Sequence, residues 1–311
     1  MSTAPTTAGT ATGAAAAPLA AAASTRRRRG STDRRSPLLT VLVILVLPYF
    51  LLPLYWLVVA STKDNGQLFS TFGLWFDQIN LVSNLQQVFT AQGGIFWTWI
   101  GNTLLYSVVS AVGAAFLATA AGYAFAKYTF PAGTALFSVV LGSIMVPTTA
   151  LAIPTYLLFA GVNLTDTRWS VVLPSLVSPF GVYLMRVYAA DAVDTQLLEA
   201  ARVDGAGELR IFFSVALRLL APGFITVLLF TLVATWNNYF LPLIMLSTPE
   251  KYPLTVGLAQ WQSAAAAGSG GQVLFSSVIT GSLVSIVPLV VAFLYLQKYW
   301  QAGLSTGGVK G

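Results

Sequence analysis

Long apolar runs alternate with short polar intervals along this chain, and several of the runs are longer than the core of a soluble domain requires. Ser36 to Thr62 is 27 residues without a charge. A helix of about 20 apolar residues crosses the hydrocarbon of a bilayer. The stretch therefore predicts a transmembrane helix, kinked or tilted around Pro48 and Pro53, where the ring removes a ladder donor. Five more spans are predicted over Asn102 to Ala126, Thr134 to Ala160, Trp169 to Met185, Gly223 to Leu246 and Val273 to Gln297. The second is dense in small residues, and Gly113, Ala114, Ala118 and Gly122 offer faces on which helix backbones pack closely. The expected fold class is an all-α membrane protein with six transmembrane helices.

The polar intervals complete the outline. Residues 1–25 are almost entirely Ala, Thr, Ser, Gly and Pro, and lack the large apolar side chains that offset ordering entropy. Residues 1–37 read as a low-complexity tail with an arginine cluster, and 38–311 as the transmembrane domain. The first span has no clear small-residue cleavage site and exceeds the length of a signal core, so it is expected to be retained. Lys63 to about Phe96, and Ser247 to Gly271, read as external loops, the former with short interfacial helices.

One interval differs from the rest. Asp191 to Pro222 carries Asp191, Asp194, Glu199, Arg202, Asp204, Glu208, Arg210 and Arg218, eight of the 26 charges in the protein. Its local pattern is helix, turn, helix. Asp194 can cap a first helix with Leu197, Leu198 and Ala201 at helical spacing, and Gly205 and Gly207 stop it. A second helix is predicted from about Glu208, with Ile211, Phe212, Val215 and Leu219 on one face.

Composition narrows the function. The chain is 56% hydrophobic and 8% charged, with a mean hydropathy of +0.75, against about 25% charged in soluble domains. It has no Cys and no His, which removes disulfides, thiolate metal sites and the commonest general base and metal ligand. The predicted spans contain no Asp, Glu, Lys or Arg. Proton-coupled carriers and intramembrane aspartyl proteases need such groups at membrane depth, so no catalytic residue and no metal site is expected. Sodium coupling through carbonyls and hydroxyls stays open. The phosphate-binding pattern G-x-x-x-x-G-K-[ST] is absent, so the chain itself is not expected to bind ATP.

The net charge of +6 does not point to nucleic acid, because Arg26 to Arg29, Arg34 and Arg35 sit together before the first span. With both termini inside, thirteen basic residues fall on the cytoplasmic side, and Lys63, Arg168 and Lys251 fall outside. That bias orients the protein with Asp191 to Pro222 in the cytoplasm.

The interval also carries a family likeness. Glu199-Ala200-Ala201, Asp204-Gly205-Ala206, Phe212, Val215, Leu217 and Pro222 resemble the EAA loop of integral-membrane subunits of ABC importers. Val215 stands where that pattern has isoleucine, and Arg218 where it has proline. The resemblance implies a coupling helix seated in a groove of a cytoplasmic ATPase, with Glu199 paired to a basic group of that partner and Gly205 setting the bend. It further implies an ATPase dimer that binds the ATP, a second permease subunit, an external solute-binding protein, and a bacterial or archaeal cell membrane as the setting. The ending GLSTGGVKG resembles carbohydrate-type permeases, in particular the smaller permease subunit of maltose importers, and so implies a sugar as solute.

Two stretches are candidates for the transport path. Trp236-Asn237-Asn238-Tyr239 places amides and aromatic faces, which suit sugar hydroxyls and rings, inside an apolar run; the same groups serve equally as interhelical hydrogen bonds or an interfacial belt. Pro147, with Thr148 and Thr149, marks either a pathway-facing point or a simple kink. An importer of peptides, amino acids or ions, an ATPase-independent carrier or channel, and a membrane scaffold are the alternatives.

Overall fold

The computed structural model describes residues 36–268 and 274–305, with side chains to residue 297. The arginine cluster and most of the GLSTGGVKG ending lie outside these residues. The first 49 residues form a unit of their own, of which the described part is the beginning of the first helix. The described residues are helices and connections without a strand.

In chain order the helices are α1 (Pro37–Ser61), α2 (Asn65–Ser70), α3 (Leu81–Thr90), α4 (Ile95–Lys127), α5 (Gly133–Ile144), α6 (Ala152–Gly161), α7 (Trp169–Ser175) and α8 (Pro179–Ala192). Then come α9 (Thr195–Val203), α10 (Glu208–Ile211), a π turn over Phe212–Ala216, α11 (Leu217–Leu219), α12 (Ala221–Trp236), α13 (Phe240–Met245), α14 (Leu254–Ala266) and α15 (Phe275–Ser305). Among the described residues, four stretches are long and apolar enough to cross a membrane: Pro37–Ser61, Ile95–Lys127, Trp169–Ala192 and Phe275–Gln297. A fifth is available if the pair Glu208–Leu219 and Ala221–Trp236, bent by 77°, counts as one.

Proline explains the two places where an expected span is divided. The expected helix over Thr134 to Ala160 is two helices of 12 and 10 residues, broken over Met145–Leu151. Pro147 sits in the break, because it lacks an amide and pushes the residue before it out of helical geometry. Pro154 is tolerated in the first turn of α6, where its amide would have no helical partner. The expected span over Gly223 to Leu246 is likewise divided, with Asn237–Tyr239 between α12 and α13. Pro242 cannot donate to the carbonyl of Asn238, and the Thr255 hydroxyl donates to it instead at 2.8 Å. The fourth span runs on past Met185 to Ala192, and α4 begins at Ile95 rather than Asn102.

α4 is the axis on which residues 50–305 pack, and its faces are inverted relative to a soluble helix. Thr103, Ser107, Ser110, Ala111, Ala114, Ala118 and Gly122 are buried, while Leu104, Val108, Val112 and Leu117 are exposed. In lipid, helices gain little from burying aliphatic side chains against one another and gain more from close backbone approach. α8 and α12 take that approach. A Cβ on Gly122 would lie 2.6 Å from the Met185 Cβ, and one on Gly181 would lie 3.1 Å from the Ala118 Cβ and 2.8 Å from Val227.

At one end of α4, the loop after α13 is tied to its side chains. Trp99 Nε1 donates to the Pro249 carbonyl (2.9 Å), Asn102 Nδ2 to those of Glu250 and Tyr252 (2.8 and 3.1 Å), and the Tyr106 hydroxyl to that of Lys251 (2.8 Å). Asp166 closes the same layer. It accepts from the backbone amides of Ser247 and Thr248 and from the Thr248 hydroxyl, and pairs with Lys251 Nζ at 2.8 Å. Burial pushes its carboxyl upward, but the Lys251 ammonium and the donors of Thr248 and Ser247 outweigh that and hold it well below the usual carboxylate range. Lys63, 1% exposed, donates to the Thr71 hydroxyl and the Phe72 carbonyl. The three cations that the topology count places outside thus include two, Lys63 and Lys251, held by loop groups.

Candidate functional site: the charged helix-turn-helix

At the other end of α4 stands the stretch with the most charge. α9 starts where the sequence places it: the Asp194 carboxylate accepts from the Gln196 amide at 2.9 Å. It stops through a Schellman arrangement. The Ala206 amide donates to the Ala201 carbonyl and the Gly205 amide to that of Arg202, both at 3.0 Å. Gly205 has φ +79°, and nothing lies within 4 Å of where its Cβ would be. Glycine is required there by backbone conformation, not by space.

The first helix presents two faces. Leu198 is 1% exposed and belongs to the same apolar cluster as Tyr123, Met185, Ala189, Val193 and Ile211, so α9 is rooted in the packing of α4 and α8. Glu199, Ala200, Asp204 and Gly205 are exposed, and Ala201 and Ala206 are half-buried. Of the apolar residues at helical spacing behind Asp194, Leu197 is exposed. Val203 and Leu209 are also exposed, at 88% and 77%. Val203 and Leu209 were not singled out from sequence; apolar residues at the end of one helix and the start of the next were the available sign.

The second helix differs from expectation in its register. The π turn over Phe212–Ala216 shifts the inward face by one residue, as an inserted residue must. Ile211 and Phe212 are buried as predicted, but Ala216 and Leu220 take the inward positions, while Val215 is half-buried and Leu219 exposed. Phe212 anchors this limb among aromatic rings, 5.4 Å from Tyr123, 6.3 Å from Phe116 and 5.1 Å from Phe213. Arg218, where the family pattern has proline, is exposed, and the chain turns through 77° after Leu220 at Pro222.

A polar contact joins both limbs to α4. Arg202 Nε meets Glu208 Oε1 at 2.7 Å, and the hydroxyl of Tyr128, the residue after α4, donates to Glu208 Oε2. Burial, then the bond to Glu208, raises the Tyr128 phenol above its ordinary value, so it stays protonated and donating. Sequence spacing gave no sign of this contact, since Tyr128 and Glu208 are 80 positions apart.

The other candidates occupy a different place. Trp236 is buried and donates to the Ser285 carbonyl on α15 at 3.2 Å, which is a helix-packing role. Asn237 is exposed and donates from its amide to the Val233 carbonyl, Asn238 is half-buried, and Tyr239 is exposed. Pro147 is exposed in the break between α5 and α6. Among the described residues, no hydrogen bond or ring contact joins Pro147 to Trp236–Tyr239.

A bundle of apolar helices with inward hydroxyls and small residues, carrying one charged helix-turn-helix at the end of its axis, defines a multi-pass membrane permease. Residues 118–302 match the family described as the binding-protein-dependent transport system inner membrane component, and the chain belongs to it. It is 34% identical to the arabinooligosaccharides transport system permease protein AraQ of Halalkalibacterium halodurans, over 83% of this chain and 91% of that one. It is 28% identical to the sn-glycerol-3-phosphate transport system permease protein UgpE of Yersinia pestis (82% and 90%), and 28% identical to the lactose transport system permease protein LacG of Rhizobium radiobacter (83% and 90%). The fold matches a chain of a bacterial ABC transporter involved in the import of the acidic polysaccharide alginate, with a TM-score of 0.73 at 24% identity, over 85% of this chain and 95% of that one. The protein is a permease subunit of an ABC importer and not an enzyme; in its family ATP is hydrolysed by a partner.

Proposed function

We propose that this chain forms, with a second permease subunit, the path by which a carbohydrate delivered by an external solute-binding protein enters the cell, driven by a cytoplasmic ATPase dimer docked on Asp191–Pro222. The observation that carries the reading is the construction of that stretch. Its inner face is rooted in the packing of α4 and α8 through Leu198 and Phe212, while Glu199, Leu197, Val203 and Leu209 are left outward. An exposed carboxylate and exposed apolar side chains on the same rooted helix-turn-helix are what a docking surface for a partner offers.

In this reading α5 and α6 together make a span broken at Pro147, and α12 with α13 makes another broken at Asn237–Tyr239. With α1, α4, the α7–α8 pair and α15 these give six spans, both termini cytoplasmic. Broken spans are tolerated where the freed backbone lines a cavity or is capped by side chains, and exposed Asn237 and Tyr239 are the groups best suited to touch a sugar. Glu199 pairs with a basic group of the ATPase, and Gly205 fixes the angle between the limbs. Closure of the ATPases on ATP moves the docked loop as a lever, and α4, α8 and α12 follow. The cavity then alternates between outward and inward access.

Support for a carbohydrate comes from the relatives named for arabinooligosaccharides and lactose and from the GLSTGGVKG ending. A polyol phosphate is the second reading, since another relative is named for sn-glycerol-3-phosphate; the lack of basic residues in the predicted spans weighs against it. The test is uptake by vesicles holding the four-part complex, offered oligosaccharides, glycerol phosphate, peptides and amino acids in turn. ATP-dependent uptake of an oligosaccharide is expected. Uptake of a peptide or amino acid alone, or transport by this chain without the ATPase, would overturn the reading.

A further inference from the structure

We infer that Tyr128, Glu208 and Arg202 form a clamp that makes the charged helix-turn-helix and α4 move as one body, so that these three are positioning residues for energy transfer; the inference rests on the importer reading above. Glu208 opens the second limb, Arg202 lies in the last turn of the first, and Tyr128 follows the last residue of α4. One carboxylate therefore holds three elements, with Oε1 on Arg202 and Oε2 on Tyr128. The Arg202 Nη2 reaches Oε2 as well, at 3.4 Å.

The surroundings join the same elements a second time. The Tyr128 ring packs edge-on to Tyr123 at 5.6 Å, and Tyr123 packs on Phe212 at 5.4 Å, so the polar clamp stands beside an aromatic one on the same limb. Lys127 donates to the Ala190 carbonyl at 3.2 Å, joining the end of α4 to α8. Glycine at 205 leaves the turn between the limbs open, with no side chain against it. The two backbone hydrogen bonds from Gly205 and Ala206 set the turn, and the Arg202–Glu208 pair is the side-chain tie that spans it. Both side chains are partly exposed, 38% and 50%, and a pair of that kind contributes little to folding. Its effect is on which parts move together, not on whether the protein folds.

The chain has no cysteine, which allows a clean test in the full-length subunit. Spin labels on Gln196→Cys and Leu117→Cys report the distance between α9 and α4. A narrow distribution is expected in the parent and a broader one after Glu208→Ala or Tyr128→Phe; an unchanged width overturns the clamp whether or not a partner is present. In the assembled complex, Tyr128→Phe and Glu208→Gln should keep the ATPase bound but raise the ATP hydrolysed per solute imported by about fivefold. The exchange Arg202→Glu with Glu208→Arg should restore the ratio, since Tyr128 can accept from arginine. An unchanged ratio, or no rescue by the exchange, would remove the role in energy transfer. Failure of the parent complex to hold any ATPase would instead count against the importer reading, with the label distances still deciding the clamp.

Discussion

Gly122 on α4 lies so close to Met185 on α8 that a Cβ at Gly122 would meet the Met185 Cβ at 2.6 Å and the Arg186 amide nitrogen at 2.7 Å. The two helices touch backbone to backbone, and they do so near the end that carries the helix-turn-helix. Any rotation of α8 is therefore passed to α4 without a flexible side chain between them.

Gly122→Ala should force the helices apart, because the obstacle is main chain and cannot rotate away. A loss of about 1–3 kcal/mol is expected, read as lowered thermal stability in detergent, with Gly122→Val worse. Gly142→Ala, where nothing lies within 4 Å, should be neutral.

Gly205 makes the opposite case. Its site is open but its φ is +79°, so Gly205→Val should cost about 1–2 kcal/mol from left-handed backbone alone, with Gly205→Asn milder. Stability of the whole protein should fall modestly while ATP-driven uptake falls far more. Equal loss in both would mean that the turn has only a folding role.

Leu198→Ala removes a buried anchor and should cost about 2–5 kcal/mol, felt first at α9. Proteolysis of the purified subunit is expected to cut between Asp194 and Gly207 in the variant while sparing the parent.

Asp166 governs the other end. Its carboxyl is held below the ordinary range in the folded protein, so its contribution is present in full above the unfolded value, about pH 4, and is lost as pH falls below that toward its folded value. The Asp166–Lys251 clasp should therefore be indifferent to pH between 5 and 8. Asp166→Asn keeps an acceptor and tolerates the left-handed φ of +53°, yet leaves Lys251 without its charge partner, and should cost about 1–3 kcal/mol. Thermal melts of parent and variant at pH 7 and pH 3 check this, with the gap expected to narrow at pH 3.

The capped start of α9, its stop at Gly205, the inward Phe212 and the close face of α4 were all legible in the sequence, because each rests on contacts within a few residues or on a fixed helical period. What was not legible has a common cause. The π turn moved Val215 and Leu219 off the inward face and brought in Ala216 and Leu220, and no local rule announces an inserted residue. Pro147 was singled out and Pro242 was not; whether a proline bends a span or divides it depends on what satisfies the freed carbonyl, which for Asn238 is Thr255 from another helix. The Tyr128–Glu208–Arg202 contact and the hold of Trp99, Asn102 and Tyr106 on residues 249–252 are tertiary and had no trace along the chain.

The most direct test of the central claim, that Asp191–Pro222 docks an ATPase through Glu199, is affinity capture of the full-length protein from its native membrane, compared with Glu199→Lys. The parent should carry an ATPase and a second multispanning subunit; charge reversal at the exposed carboxylate should reduce the captured ATPase by about tenfold or more and leave the second permease in place. Capture of the ATPase in equal amounts by both proteins would contradict the assignment of Glu199, and capture of no ATPase by the parent would contradict the docking role of the whole stretch.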